Sequence, residues 1–225
     1  MSDLVLYTFL PSNNCLRVEM TLREKGLPYE RKEIDIFKGE HKTKEYLAIN
    51  PRGTVPCLAH GPILIQDSVA AMQYLDMAFP NQASHRRSLG LTIIPQACLQ
   101  YIYDFLQNLN TKNISFKVVF DKKSKSDLTD EAEALLKELS LWEGYLQGKE
   151  YLVEDFTLAD IAVFPVVSQL RQWLGLDLEK YPNLGRWYRN MRGRPSIKDH
   201  PYFTCDEKID EIFGTVAEKR LVFRD

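Results

Sequence analysis

The sequence predicts an α/β domain followed by an all-helical domain. Three observations carry this. Leu4 to Phe9 is apolar at nearly every position, and a helical pattern and a second strand-like run, Tyr29 to Ile34, follow it. Two short apolar runs then flank His60-Gly61, a hairpin signal. From Leu89 onward no strand pattern recurs, and only long helical periodicities remain.

The continuous apolar character of Leu4 to Phe9 predicts a strand covered on both faces. Pro11-Ser12-Asn13-Asn14 breaks it, and Cys15, Val18 and Leu22 recur at helical spacing until Gly26 caps the end. With Tyr29 to Ile34 this makes a strand–helix–strand unit, so the two strands are expected parallel with a right-handed crossover. A short helix is expected between Lys38 and Leu47, strands over Val55 to Ala59 and Pro62 to Ile65, and a helix through Ala71, Met72, Leu75 and Phe79. The order βαβ, helix, ββ, helix is the thioredoxin-like topology. The expected division is residues 1–80 for this domain, 81–88 for a polar linker, and 89–225 for the helical domain.

In the second part helices are expected over Leu89–Asn110, Asp127–Gln147, Thr157–Leu174 and Asn183–Arg192, with Phe116 to Phe120 also helical. Phe156-Thr157-Leu158-Ala159-Asp160-Ile161 reads as a well-capped buried helix: Thr157 caps, Asp160 reaches back to it, and Phe156 packs on Ile161 as a staple. Pro165 lies inside the same helix and is expected to bend it.

The chain has 225 residues, 44% apolar and 27% charged, with a formal net charge of −2. That balance argues against a nucleic-acid or membrane-surface protein. No apolar run is long enough to span a bilayer. Met1-Ser2-Asp3 leads straight into a strand without a basic segment, so no signal peptide is expected and the cytoplasm is the expected location. Cys15, Cys57, Cys98 and Cys205 form no CxxC pair, and their spacings fit neither zinc nor a disulfide framework. At least three are expected to be reduced thiols.

The most informative stretch is Asn50-Pro51-Arg52-Gly53-Thr54-Val55-Pro56, with Asp67-Ser68 beyond it. A turn cluster gives way to a strand opening on Val-Pro, and proline at a strand start lacks an N–H. A cis Val55-Pro56 bond would expose the Val55 N–H and C=O together, so that an extended peptide docks like an added strand. Asp67-Ser68 stands where a helix begins, and a hydroxyl with free N–H groups there suits a carboxylate. Together these residues describe a site for a small peptide ending in a carboxylate.

This arrangement resembles the glutathione-binding half of glutathione transferases. The capped Thr157-x-x-Asp160 helix and Tyr181-Pro182-Asn183-Leu184…Trp187…Met191-Arg192…Arg194-Pro195 are similar to that family's second domain, so the resemblance spans nearly the whole chain. It implies conjugation of the glutathione thiolate to small hydrophobic electrophiles, as in detoxification. Glutathione is then a co-substrate; no cofactor and no metal are implied, and the partners are glutathione, the electrophile and a second copy in a homodimer.

A free thiol has a pKa near ~8.5 and is mostly protonated at neutral pH. A hydroxyl donor backed by a helix N-terminus stabilises the anion. The family takes this donor from Tyr or Ser after the first strand, or replaces it with Cys. Ser12, three residues before Cys15, resembles the serine-type classes, rho and theta above all, and Ser12-x-x-Cys15-x-Arg17-Val18 with Asn50-Pro51-Arg52-Gly53 is most similar to the rho-like pattern. Tyr7 and Cys15 are the rivals, each also explained by core packing. Glu40-His41 is similar to the rho and theta pattern, whose His reaches the glycine carboxylate. Val55 is expected to pair with the cysteinyl backbone. Ser68, beside Asp67, is expected to take the γ-glutamyl carboxylate. Thr54 stands where related enzymes often carry Lys or Gln, and Asp67-Ser68 replaces the commoner Glu-Ser or Gln-Ser.

The resemblance also implies an electrophile site contributed by the helical domain. Tyr101, Tyr103 and Phe105, with Phe116, Phe120 and Trp173 further on, are its aromatic candidates. For a dimer, the physical argument is that Met72, Leu75 and Leu99 need cover, with Arg86-Arg87 and Asp76 forming ion pairs at the rim. The competing functions are a zeta-type glutathione-dependent isomerase, opposed by Asn13-Asn14 where that class carries Ser and Cys, and a non-catalytic binding or structural protein on the same fold.

Overall fold

The computed structural model describes residues 3–10, 12–80, 95–112, 114–204 and 223. The chain divides into two compact units, Met1–Ile93 and Ile94–Asp225. The expected linker 81–88, with Arg86-Arg87, lies outside the described residues, as does Cys205.

The first unit is built on a four-stranded sheet in the order β2-β1-β3-β4. β1 (Leu4–Thr8) runs parallel to β2 (Glu30–Glu33), joined by α1 (Asn13–Glu24). β3 (Cys57–His60) pairs antiparallel with β1, Tyr7 opposite Cys57, and β4 (Ile63–Ile65) closes the hairpin on β3. Between β2 and β3 lie a 3-10 turn, Glu40–Lys42, and α2 (Lys44–Ile49); α3 (Ser68–Ala78) follows β4. This is the thioredoxin-like order read from the sequence. Leu4, Leu6, Val18, Leu22, Leu58, Ala71 and Leu75 are buried in one cluster, because α1 and α3 turn their apolar stripes to the sheet.

Two expectations change here. β1 is not covered on both faces: Leu4, Leu6 and Thr8 are buried while Val5 and Tyr7 are only half-buried. Asp76 is not at a surface rim. It is fully buried and bonds Lys25 at 2.9 Å, a pair that ties the end of α1 to α3. Met72 and Leu75 are likewise fully buried within the chain, so they leave no apolar surface for a second copy to cover.

The second unit consists of helices and connecting loops, with no strand among its described residues. Its main helices are α4 (Pro95–Asp104), running on into a π-turn at Phe105–Leu109, α5 (Ser115–Val119) and α6 (Thr129–Tyr145). α7 (Leu158–Leu174), α8 (Pro182–Arg192), α9 (Pro195–Lys198) and α10 (Pro201–Thr204) follow. Of the first predicted helix, residues 89–94 lie outside the described residues; Phe116 to Phe120 is helical as read. α7 forms the core and continues through Pro165. Its N-terminus carries the predicted capping box: Asp160 Oδ2 accepts the Thr157 N–H at 2.9 Å, and Thr157 Oγ1 accepts the Ala159 N–H at 3.3 Å. Asp160 Oδ1 also accepts from Leu152 N and Trp187 Nε1, so one carboxylate joins a loop and two helices.

Candidate functional site

The candidate thiol site begins where β1 ends. Three hydrogen bonds shape the turn: the Phe9 N–H reaches Cys15 Sγ at 3.3 Å, the Leu10 N–H reaches Glu33 Oε1 at 2.9 Å, and the Ser12 N–H reaches Phe9 O at 2.9 Å. Ser12 then caps α1 in extended conformation, its Oγ accepting the Cys15 N–H at 3.4 Å. Its half-buried hydroxyl therefore sits at the positive end of a twelve-residue helix.

The two rivals have other surroundings. Cys15 is buried, and burial pushes its thiol up to about 12, only partly offset by the Ser12 and Thr8 hydroxyls and the Phe9 N–H. A thiol so held stays protonated, which makes it a poor nucleophile. Tyr7 is half-buried, its ring edge-on to Tyr46 at 5.9 Å with Lys32 Nζ 5.5 Å from its centroid. Cys57 and Cys98 are buried and form no disulfide among the described residues.

Val55-Pro56 lies at the same end of the sheet, two residues before the Cys57 that pairs with Tyr7, and the bond is cis. Val55 makes no backbone hydrogen bond to another described residue. The turn before it is tied down from α2. Tyr46 Oη donates to Thr54 O at 2.6 Å and Asn50 Nδ2 to the same oxygen at 2.7 Å. The Thr54 side chain is exposed. Gly53 has a φ of +58°, and a Cβ there would stand 2.7 Å from His41 O, so the turn packs directly on the 3-10 segment. His41 is half-exposed, yet its Nδ1 is enclosed without a hydrogen-bond partner among the described residues. Burial, then the Lys42 charge, lowers its pKa.

At α3 the sequence expectation needs refinement. Asp67 is the N-cap, and its Oδ1 takes the Val69 N–H at 2.9 Å and the Ala70 N–H at 2.8 Å. Those two donors are engaged internally. Ser68 is buried, and its Oγ accepts from Arg17 Nη1 at 3.4 Å. Arg17 is the residue that role assignment from the sequence missed, although it stands in the Ser-x-x-Cys-x-Arg motif. It is almost wholly buried and also bonds Asn14 Oδ1. Burial lowers its pKa to about 9, against the favourable field of Asp67, so it stays a cation at neutral pH. A single guanidinium thus links the helix capped by Ser12 to the residues at the start of α3. An arginine at a buried position on α1 was the available signal, since unpaired buried cations are rare.

The aromatic candidates of the helical unit differ in exposure and in neighbours. Tyr101 is half-buried, 5.4 Å from Tyr145, and its Oη accepts from Lys149 Nζ at 3.2 Å. Phe105 is fully buried. Trp173 is nearly so and faces Tyr202 at 6.2 Å. Phe116 and Phe120 form an exposed pair 4.5 Å apart, and Tyr103 is exposed.

Residues 11–78 match the family described as Glutathione S-transferase, N-terminal domain, and residues 93–195 match Glutathione S-transferase, C-terminal domain. Glutathione S-transferase A of Pleuronectes platessa is 35% identical over 214 residues, covering 87% of this chain and 90% of that protein. A Caenorhabditis elegans protein named "Probable maleylacetoacetate isomerase" is 28% identical over 207 residues, covering 88% and 92%. Among solved structures, a glutathione transferase homolog of Drosophila mojavensis with bound glutathione superposes with a TM-score of 0.83. It is 22% identical and covers 98% of this chain and 99% of its own, a likeness of fold.

Proposed function

The chain belongs to the glutathione S-transferase family, and on that footing we propose that it is a serine-type transferase conjugating glutathione to small hydrophobic electrophiles. The observation that carries the reading is Ser12 at the N-terminus of α1 while Arg17 of the same helix reaches Ser68. Tripeptide and thiol are thereby addressed from one helix.

In this reading Val55 pairs with the cysteinyl backbone, which places the sulfur beside Ser12. The Ser12 hydroxyl donates to the sulfur, and the helix terminus favours its negative charge. The thiol proton leaves to solvent. The thiolate sulfur then bonds to the electrophilic carbon, and for an aryl halide the halide departs with the bonding pair. Ser68 takes the γ-glutamyl carboxylate, with the Arg17 cation behind it. His41, on the segment packed against Gly53, takes the glycine carboxylate, and Thr54 lines the approach. Asp67 acts through the N-terminus of α3 rather than as a free acceptor, because its carboxylate already holds two N–H groups.

The electrophile is assigned to the helical unit. Tyr101 is its strongest aromatic candidate, since it is half-buried and carries a hydroxyl. The class assignment, closest to rho and theta, rests on Ser12-x-x-Cys15-x-Arg17-Val18 and Glu40-His41. A cytoplasmic, dimeric enzyme that removes reactive small molecules completes the reading. No helix among the described residues is long and apolar enough to cross a membrane. Ile63, Leu64 and Met77 of the first unit and Leu99 of the second are exposed, and these, rather than Met72 and Leu75, are the apolar groups a second copy would cover.

Retention on immobilised glutathione, followed by conjugation of an aryl halide, tests the reading. A chain that neither binds glutathione nor conjugates it is a structural relative only. The similarity to the nematode protein favours one second reading, isomerisation of a maleylacetoacetate-like double bond. Turnover of such a substrate far above the aryl halide would select it.

A further inference from the structure

A groove of about 850 Å³ opens beside the C-terminal end of α7, against α8. It belongs wholly to the helical unit, whereas every residue assigned to glutathione belongs to the sheet unit. Four basic side chains line it: Arg171, Lys180, Arg189 and Arg192. None of the four makes an ion pair with a carboxylate of the described residues. The groove also holds Asp177 and Glu179, so four cations against two carboxylates leave a formal +2 on a chain whose net charge is −2. Asp177 Oδ1 is engaged in capping the next turn, accepting the Glu179 N–H at 2.9 Å.

Two of the guanidiniums are held in place. The Arg171 guanidinium carbon lies 5.0 Å from the Tyr188 ring centroid, and that of Arg192 lies 4.0 Å from the Phe203 centroid. Arg192 Nη1 is enclosed with no hydrogen-bond acceptor among the described residues. Leu176, Leu178 and Phe223 supply the groove's apolar wall, beside Gln172 and Tyr188, and the Phe223 N–H donates to Leu174 O at 2.9 Å. Small-molecule sites span roughly 300–1,000 Å³, so the groove has the size of one.

We propose that this groove binds a small organic dianion, a phosphomonoester on an apolar body, with Arg171, Arg189 and Arg192 facing the phosphate and Leu176, Leu178 and Phe223 the body. Planar guanidinium forks match phosphate oxygens. A phosphomonoester carries close to two negative charges at neutral pH, which balances the lining. The proposal is independent of the transferase reading.

The full chain is titrated calorimetrically with 1-naphthyl phosphate, 1-naphthol and inorganic phosphate. The phosphomonoester is expected to saturate at one per chain, about tenfold or more tighter than either fragment, and to weaken as salt rises. Arg189→Glu and Arg171→Glu, both exposed positions, each weaken it by about tenfold or more. Ser68→Ala leaves it unchanged, and aryl-halide conjugation by Arg189→Glu equals that of the parent chain. Naphthol binding as tightly as its phosphate overturns the proposal. So do wild-type affinity in both arginine variants, loss of binding in Ser68→Ala, and absence of saturation.

Discussion

Arg17 Nη1 stands 3.4 Å from Ser68 Oγ, so a buried cation of the first helix touches the first residue of the third. The two are 51 positions apart. Within the proposed site this contact places a positive charge behind the hydroxyl assigned to the γ-glutamyl carboxylate.

Arg17→Ala is expected to weaken glutathione binding about tenfold or more, the worth of one charge-assisted contact. It is also expected to lower stability by about 2–4 kcal/mol, through lost packing and an Asp67 left without its cation. Glutathione titration and urea unfolding read the two effects separately. A stability loss with unchanged affinity would make Arg17 purely structural.

Ser68→Ala is expected to raise the half-saturating glutathione concentration with little change in the maximal rate. Its hydroxyl is assigned to the end of the peptide remote from the sulfur, so ground and transition states lose it almost equally. Steady-state kinetics with varied glutathione decide this. A fall in maximal rate alone would move Ser68 to the reacting centre.

Ser12→Ala is expected to fold normally and to lose about 2–4 kcal/mol of transition-state stabilisation at neutral pH, with partial recovery as pH rises and the thiolate forms unaided. Cys15→Ala, by contrast, is expected to keep most activity, because burial holds that thiol protonated. Conjugation rates of both variants from pH 6 to 9 are the measurement. Full activity in Ser12→Ala would return the role to Tyr7 or Cys15.

Asp76→Ala is expected to cost about 3–5 kcal/mol, since it strands Lys25 in a fully buried position. Replacing both, Lys25→Met with Asp76→Leu, is expected to recover most of that loss, because neither charge then needs desolvation. Urea unfolding of the single and double variants tests this. A single variant as stable as wild type would show that the pair opens to water.

Asp160 carries a pH signature. Burial raises its pKa from 3.8 to about 6, against the donors Leu152 N–H, Thr157 N–H and Trp187 Nε1–H. With the folded value above the unfolded one, the unfolded chain releases this proton first as pH rises. The group's contribution is therefore complete below about pH 4 and is lost as pH climbs through about 6, a change of about 3 kcal/mol. Asp160→Asn is expected to be less stable throughout, because its amide N–H₂ faces donors. The gap between wild type and variant should be widest near pH 4 and narrow by pH 7. Chemical unfolding at four pH values measures it, and a constant gap would contradict the shift.

Local signals explain what could be read directly. The strand–helix–strand unit, the hairpin around His60-Gly61 and the Thr157–Asp160 cap each depend on residues close in sequence, where periodicity and turn chemistry act before any packing. Ser12 as a helix cap and the chain reversal at Asn50 to Pro56 were legible for the same reason. Partners of buried charges were not. Asp76 read as a surface acid, and only the packing of α1 on α3 brings Lys25 to it. Arg17 read as one element of a motif, and only the same packing sets it against Ser68. Aromatic residues at helical spacing looked alike, yet Phe105 is enclosed while Phe116 is exposed, because spacing selects a helix face and the neighbouring helices decide whether that face is covered. The sequence by itself determined the elements, their order and the family. The tertiary structure decided which charges meet and which apolar faces stay open, since Coulomb and burial energies depend on distances that the chain acquires only when distant segments pack.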